Sequence, residues 1–419
     1  MLNKPDRSIA EIATEVQPTY GVQEEVMETN PSRGMNWFMI LIITVAMIPW
    51  VSGDYEILGF SIIGWFWVIP MTAAGLICLG NIGRITFPVG LWLTWVGILC
   101  LYWLVGRQNP DALQSLLQLL SPLAVGCATS SFRFDSLQLE SVIRWITRLA
   151  WIVWILLLIR MPLILTGVLP GHSFMAAEMI ELLLLGACYA SFYACGSGRH
   201  LYYYLAVLAI TAISLVRGPI IAMLSCLPLT PAPLTIRKRI LLCVGITICA
   251  LILFNTDRVQ KIMFFSGSGE LTDLYWDNPN LQTSGRNAMF DTLGPGVEDS
   301  PLLGNGFNTH RTALLNAGIR LYLPHNDWLK LLYDMGILGA GIYLITMVLQ
   351  MFFLLGFARR YAGAHQMLAY AAATAFVPYA LIMLTDNVIL YVQFFGNLHF
   401  ALIGIVYGVC ERDKKIRNV

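Results

Sequence analysis

The chain has 419 residues, 57% apolar and only 12% charged, with a mean hydropathy of +0.67. Soluble chains carry about 25% charged residues, which excludes a water-soluble globular protein, and a net charge of +1 gives no sign of a nucleic-acid partner. The nine cysteines fall in or beside apolar runs without a C-x-x-C spacing, as small buried apolar residues do, and neither a zinc site nor a disulfide framework is indicated.

Residues 1–34 are polar and lean acidic, with Asp6, Glu11, Glu15, Glu24, Glu25 and Glu28 against Lys4, Arg7 and Arg33. A secretory signal needs a short basic start followed at once by an apolar stretch, so this segment reads as a cytoplasmic tail. Apolar runs of membrane-crossing length, about 20 residues, then recur along the chain. About twelve spans are expected, at roughly 35–52, 57–79, 86–106, 111–130, 142–166, 173–196, 200–216, 218–230, 239–255, 328–357, 367–385 and 387–409. The fold class is therefore an all-α polytopic membrane protein. Spans 1–9 occupy 35–255, a polar loop fills 256–327, spans 10–12 occupy 328–409, and 410–419 is a basic C-terminal tail.

Lys and Arg in short loops orient such a bundle. With the N-terminus inside, the inner loops hold Arg84, Arg133, Arg144, Arg199, Arg237-Lys238-Arg239 and Arg359-Arg360, and the tail adds Arg412, Lys414, Lys415 and Arg417. Both termini then lie in the cytoplasm and the long loop lies outside, which in a bacterium is the periplasmic face of the inner membrane.

That loop is a polar island carrying Arg286, Gly304-Asn305-Gly306, Arg311, Arg320 and Pro324-His325-Asn326-Asp327, and it runs directly into the apolar segment near Leu331. Arg160 and Arg217 stand in apolar context near the same face. A cation inside a span costs about 2.5–3.5 kcal/mol on insertion scales, so it generally has a partner or a task. For these two the readings are a diphosphate site, snorkelling to headgroups, or a structural pair with Glu178 or Glu181. Guanidinium groups match phosphate oxygens in shape and charge. Arg217 and Arg286, supported by Arg160, Arg311 and Arg320, would suit a lipid-linked diphosphate and stabilise it as it leaves. No Asp, Glu and His grouping in the loop has metal-ligand spacing, so neither metal nor cofactor is expected. His325 can accept a proton near neutral pH and is a candidate general base. It is one of six histidines, held between Pro324 and Asn326 where a helix begins. Gly304 and Gly306 form a tight turn that either lets backbone N–H groups approach an anion or is architecture alone. Gly336 and Gly339 read as close helix packing. Asp54 and Glu56 in the first outer loop are either a catalytic acid and its neighbour or an acidic turn.

Several of these residues fall in patterns resembling the O-antigen ligase and Wzy-type polymerase superfamily of bacterial envelope enzymes. They are Val216-Arg217-Gly218, Gly285-Arg286, Pro301-Leu302-Leu303-Gly304-Asn305-Gly306-Phe307, and Pro324-His325-Asn326-Asp327-Trp328-Leu329 followed by Tyr333-Asp334-Met335-Gly336-Ile337-Leu338-Gly339. The resemblance implies a GT-C-like helical fold and glycan transfer from undecaprenyl diphosphate without metal. In it Arg217 and Arg286 handle the diphosphate, and His325 activates the acceptor hydroxyl. Val216 stands where family members often have serine. The superfamily contains polymerases, which extend a lipid-linked repeat unit, and ligases, which move the finished glycan to lipid A–core. Exopolysaccharide or O-antigen polymerase is the preferred expectation, on the modest outer loop and the N-terminal tail. The partner implied is the lipid-linked glycan, with a chain-length regulator by analogy. A flippase or secondary transporter is the competing class. It would bring related halves around a midplane site, and no half-to-half similarity is visible.

Overall fold

The structure is a computed structural model that describes residues 31–409, apart from 53–55, 58–59, 107–109, 167–175, 215, 276–277, 284 and 320–322. Residues 1–30 of the expected N-terminal tail, the C-terminal tail, Asp54 and Arg320 lie outside the described residues, while 31–34 already belong to the first helix. The architecture is helical, as a chain surrounded by lipid requires if every backbone group is to be paired within the protein. The first half of the bundle comprises α1 (Pro31–Met47), α2 (Pro49–Ser52), α3 (Ile62–Trp65), α4 (Val68–Gly80), α5 (Val89–Val105), α6 (Pro110–Ser130), α7 (Ser136–Leu165), α8 (Ala176–Ala194) and α9 (His200–Ser214). A two-residue antiparallel hairpin, β1 (Glu56–Ile57) with β2 (Phe60–Ser61), precedes α3. The second half comprises α10 (Arg217–Leu229), α11 (Ile236–Phe254), α12 (Asp257–Met263), α13 (Arg286–Asp299), α14 (Thr309–Asn316), α15 (Asp327–Arg360), α16 (Gly363–Thr374), α17 (Phe376–Ile382) and α18 (Gly396–Tyr407).

Helices occupy most of the expected apolar segments, but 35–52 is divided into α1 and α2, 57–79 opens on the β1–β2 hairpin before α3 and α4, and two further departures lie near the C-terminus. The segment at 367–385 is broken at Ala375 into α16 and α17, and the last segment is helical only from Gly396, with turns over 383–395. By length and composition, Asp111–Ser130, Ser136–Arg160 and Asp327–Arg360 are each sufficient to cross a membrane, and the bent pair α11–α12 would make a fourth. The apolar helices α1, α4, α5, α9, α10 and α18 are shorter. Small residues let the inner helices approach closely. A Cβ on Gly404 of α18 would lie 2.6 Å from the Gly126 carbonyl of α6, and one on Gly186 of α8 would collide with Met223 of α10.

Side-chain contacts fix which helix ends share a face. Gly186 meets Met223, and Ser191 Oγ lies 3.4 Å from Thr230 Oγ1, so α8 and α10 run in the same direction. Their N-terminal ends, with Glu178 and Arg217, therefore lie at one rim. The basic groups Arg237, Lys238 and Arg239 lie at the other, where α10 ends and α11 starts. Arg239 holds that corner by donating to the carbonyls of Pro228 (2.6 Å), Ala232 (3.0 Å) and Leu234 (3.2 Å).

The beginning of α15 is shaped by a break at Gly336, where φ is +63° and ψ −169°. This conformation is essentially reserved for glycine. It interrupts the helical ladder, and the segment 301–306 supplies the missing partners. Ile337 and Leu338 N–H donate to the carbonyls of Pro301 (2.8 Å) and Leu302 (3.1 Å), while Asn305 and Gly306 N–H donate to those of Tyr333 (2.8 Å) and Asp334 (3.0 Å). The two backbones touch. A Cβ on Gly304 would sit 2.5 Å from Met335 N, and one on Gly336 would sit 2.3 Å from Leu302 O. Tyr102 of α5 seals the joint by donating to the Leu303 carbonyl (2.8 Å) and lying 3.2 Å from that of Met335. The glycine turn is thus a docking device that sets the angle at which residues 327–335 approach the rest of the bundle.

Candidate active site

At the rim that carries Arg217, the start of α10 and the start of α13 face one another across a cleft of about 340 Å³. Arg217, Arg286, Gln282, Thr283, Thr385 and Asp386 give it a polar end, while Ile221, Ile262 and Leu281 give it an apolar wall. Gly218 permits the approach of the 383–395 turns, since a Cβ there would overlap Thr385 Oγ1 at 2.3 Å. Both arginines are half-buried and are anchored by one edge. Arg217 Nη2 donates to the Gln282 carbonyl at 2.6 Å. Arg286 Nη2 donates to the Thr385 carbonyl at 2.9 Å and Nη1 to the Thr283 carbonyl at 3.2 Å. The buried Nε of Arg286 makes no hydrogen bond. Burial lowers the pKa of Arg286 from its ordinary value, and the nearby Asp386 carboxylate raises it again; a guanidinium nevertheless stays charged. Two repelling positive charges on one cleft, each tethered to carbonyls rather than neutralised by a bonded carboxylate, form a preorganised site for an oxyanion.

His325 stands beside this cleft. Its backbone adopts φ +46°, a left-handed conformation that a non-glycine residue holds only when its surroundings over-determine it. Buried Pro324 fixes the chain before it. Asn326 caps α15 after it, its Oδ1 accepting from Leu329 N–H at 2.9 Å. His325 Nδ1 lies 3.3 Å from Asp386 Oδ1 and 3.3 Å from Asn387 Nδ2. A carboxylate only accepts, so the Asp386 contact is a hydrogen bond when Nδ1 carries the proton, leaving Nε2 with an open lone pair. The His325 side chain is 30% exposed and that of Asp386 only 6%. A buried acid behind an accessible imidazole is the arrangement that orients a general base.

The remaining sequence candidates are distributed differently. Arg160 forms a buried ion pair with Glu178 between α7 and α8. The neighbouring Glu181 accepts from Trp50 Nε1 at 2.8 Å. Of the readings open for Arg160, the structural pair is the one its surroundings match. Arg311 pairs with Asp111 of α6 at 2.6 Å and is absent from the cleft lining. Gly304 and Gly306 serve the α15 joint. Glu56 lies in β1. Asp386 falls between the expected spans 367–385 and 387–409 and is not among the sequence candidates; a carboxylate inside an otherwise apolar C-terminal segment is the signal that identifies it.

Residues 202–344 match the protein family described as O-antigen ligase, which supports the O-antigen ligase/Wzy superfamily assignment. The match runs from α9 into α15 and contains Arg217, Arg286, Gly304, Gly306 and His325, while Asp386 falls beyond it. No curated protein matches the chain.

Proposed function

We propose that this protein is a glycosyltransferase of the inner membrane that moves a glycan from undecaprenyl diphosphate to an acceptor hydroxyl at the periplasmic face. The observation that carries the reading is the cleft shared by Arg217 and Arg286, with His325 joined to its rim through Asp386. In this reading about twelve spans hold the loop 256–327 outside, both termini lie in the cytoplasm, and the apolar wall of the cleft faces the lipid end of the donor.

The acceptor O–H gives its proton to Nε2 of His325 while its oxygen forms a bond to the anomeric carbon. The bond from that carbon to the diphosphate oxygen breaks on the opposite face, and its electron pair leaves with undecaprenyl diphosphate. Configuration is inverted. Arg217 and Arg286 stabilise the negative charge that grows on the leaving group, a task fixed cations perform without reorganisation. Asp386 holds His325 with Nδ1 protonated and favours the imidazolium that forms. His325 then releases its proton to solvent. No step draws on a metal ion, so transfer is expected to continue in EDTA.

A lipid-linked repeat unit is the preferred acceptor, making the protein a polymerase of exopolysaccharide or O-antigen. Lipid A–core as acceptor would make it a ligase by the same chemistry, since the leaving group is unchanged. The undecaprenyl-linked glycans of a strain lacking the protein separate these readings. Single repeat units accumulate if it is a polymerase, and long lipid-linked chains beside empty lipid A–core accumulate if it is a ligase. Unchanged pools of both would return the flippase or transporter.

A further inference from the structure

His325 and Asp386 are 61 residues apart and belong to two segments that no common helix connects. The turns over 383–395 that carry Asp386 have short-range bonds of their own, such as Asp386 N–H to the Ile382 carbonyl at 2.8 Å, but no continuous helix runs through them. Asp327 holds them. Its N–H donates to the Met383 carbonyl at 2.8 Å, and its Oδ2 accepts from the Ile389 N–H at 2.8 Å. These bonds grip the chain three residues before and three residues after Asp386, and both come from one fully buried residue two positions after His325. From this clasp we infer that Asp327 is a positioning residue, which sets the separation of Asp386 and His325 and so acts on transfer through them.

A second buried charge supports the clasp. Lys330, one turn along α15, is 4% exposed, and its Nζ makes no hydrogen bond to the protein. The carboxylates of Asp327 and Asp334 both act on it electrostatically. Asp334 is itself occupied, accepting from the N–H groups of Asn308 (3.1 Å) and His310 (3.0 Å) and lying 2.8 Å from His310 Nδ1. A buried carboxylate unsupported by a positive charge protonates instead of remaining ionised. A positive charge on Lys330 opposes that change. The mechanism above uses neither residue. Arg286 also benefits, because the Thr385 carbonyl to which it donates lies within the clasped segment.

The inference rests on the proposed transfer reaction, and a double-mutant cycle separates its failure from the failure of that reaction. The full chain is purified in detergent and supplied with undecaprenyl-diphosphate-linked repeat unit, serving as both donor and acceptor, or with lipid A–core as acceptor. Asp327→Ala is measured in the wild-type background and again in Asp386→Asn. A positioning role predicts a loss of about 30-fold in the first background and less than about threefold in the second, since the partner being positioned is already impaired. Asp327→Asn keeps an acceptor oxygen for Ile389. Combined with Lys330→Met, so that no buried ammonium is left facing an amide, it is expected to recover at least tenfold of the loss. Should the alanine chain not purify, Asp327→Ser repeats the cycle with a hydroxyl that suits a helix start but falls short of Ile389. Equal losses in both backgrounds, or no recovery with Asp327→Asn/Lys330→Met, would overturn the positioning role while leaving the transferase intact. Absence of transfer by the wild-type chain would instead overturn the underlying reaction.

Discussion

Gly336→Ala tests the joint on which the site's geometry depends. The substitution forces alanine into φ +63°, ψ −169°, at a cost of about 1–3 kcal/mol. Its Cβ would also lie 2.3 Å from Leu302 O and 2.6 Å from Leu303 N. Both contacts are backbone, so relief comes only by lifting segment 301–306 away from α15. Lifting it breaks the bonds of Ile337 and Leu338 to Pro301 and Leu302, and of Asn305 and Gly306 to Tyr333 and Asp334, each of net worth about 0.5–1.5 kcal/mol. The loss should therefore total about 3–9 kcal/mol if all four bonds go. Gly285→Ala is the control. Its φ is +79°, but nothing lies within 4 Å of the new Cβ, so only the conformational penalty of about 1–2 kcal/mol applies. Unfolding of the purified protein in mixed micelles, followed by tryptophan fluorescence, compares the two. Equal destabilisation by both alanines would refute the docked joint.

Further outcomes follow from the same geometry. Arg217→Ala should lower transfer by about 100- to 1000-fold, the range set by removing a donor to a developing oxyanion, read as turnover with saturating acceptor. Arg286→Lys keeps the charge but loses the fork that reaches Thr283 and Thr385 and should lose about tenfold or more. Asp386→Asn should reduce turnover by about 100-fold or more, with the chain folded normally, because an amide no longer favours the charged imidazole. Glu178→Ala leaves Arg160 buried without its partner and should destabilise the protein by about 3–5 kcal/mol. Replacing both, as Arg160→Met with Glu178→Leu, should restore stability and retain transfer; loss of transfer in that stable variant would return Arg160 to the diphosphate site.

The apolar periodicity of this chain made its helical architecture legible, because lipid demands long apolar runs and leaves few other solutions. The cations of the cleft were legible for the complementary reason: a guanidinium in apolar context is costly and therefore conspicuous. The function of Gly304 and Gly306 was not, since a glycine turn looks the same whether its backbone receives an anion or a broken helix. Gly336 settles it here, and its distance from the turn in sequence hides their contact. Arg160 illustrates the opposite limit, because spacing alone cannot separate a buried arginine paired with Glu178 from one waiting for phosphate. Asp386 and Asp327 were obscured because they act through tertiary contacts across about sixty residues, and nothing in the local pattern of either segment announces the other.

The most direct measurement is the release of undecaprenyl diphosphate and formation of the glycosidic bond by purified wild-type chain and by His325→Ala, both in EDTA. The account predicts one undecaprenyl diphosphate released per bond formed by the wild type, with inverted anomeric configuration, and near-complete loss in His325→Ala while donor binding persists. Wild-type-like transfer by His325→Ala, or a product of retained configuration, would contradict it.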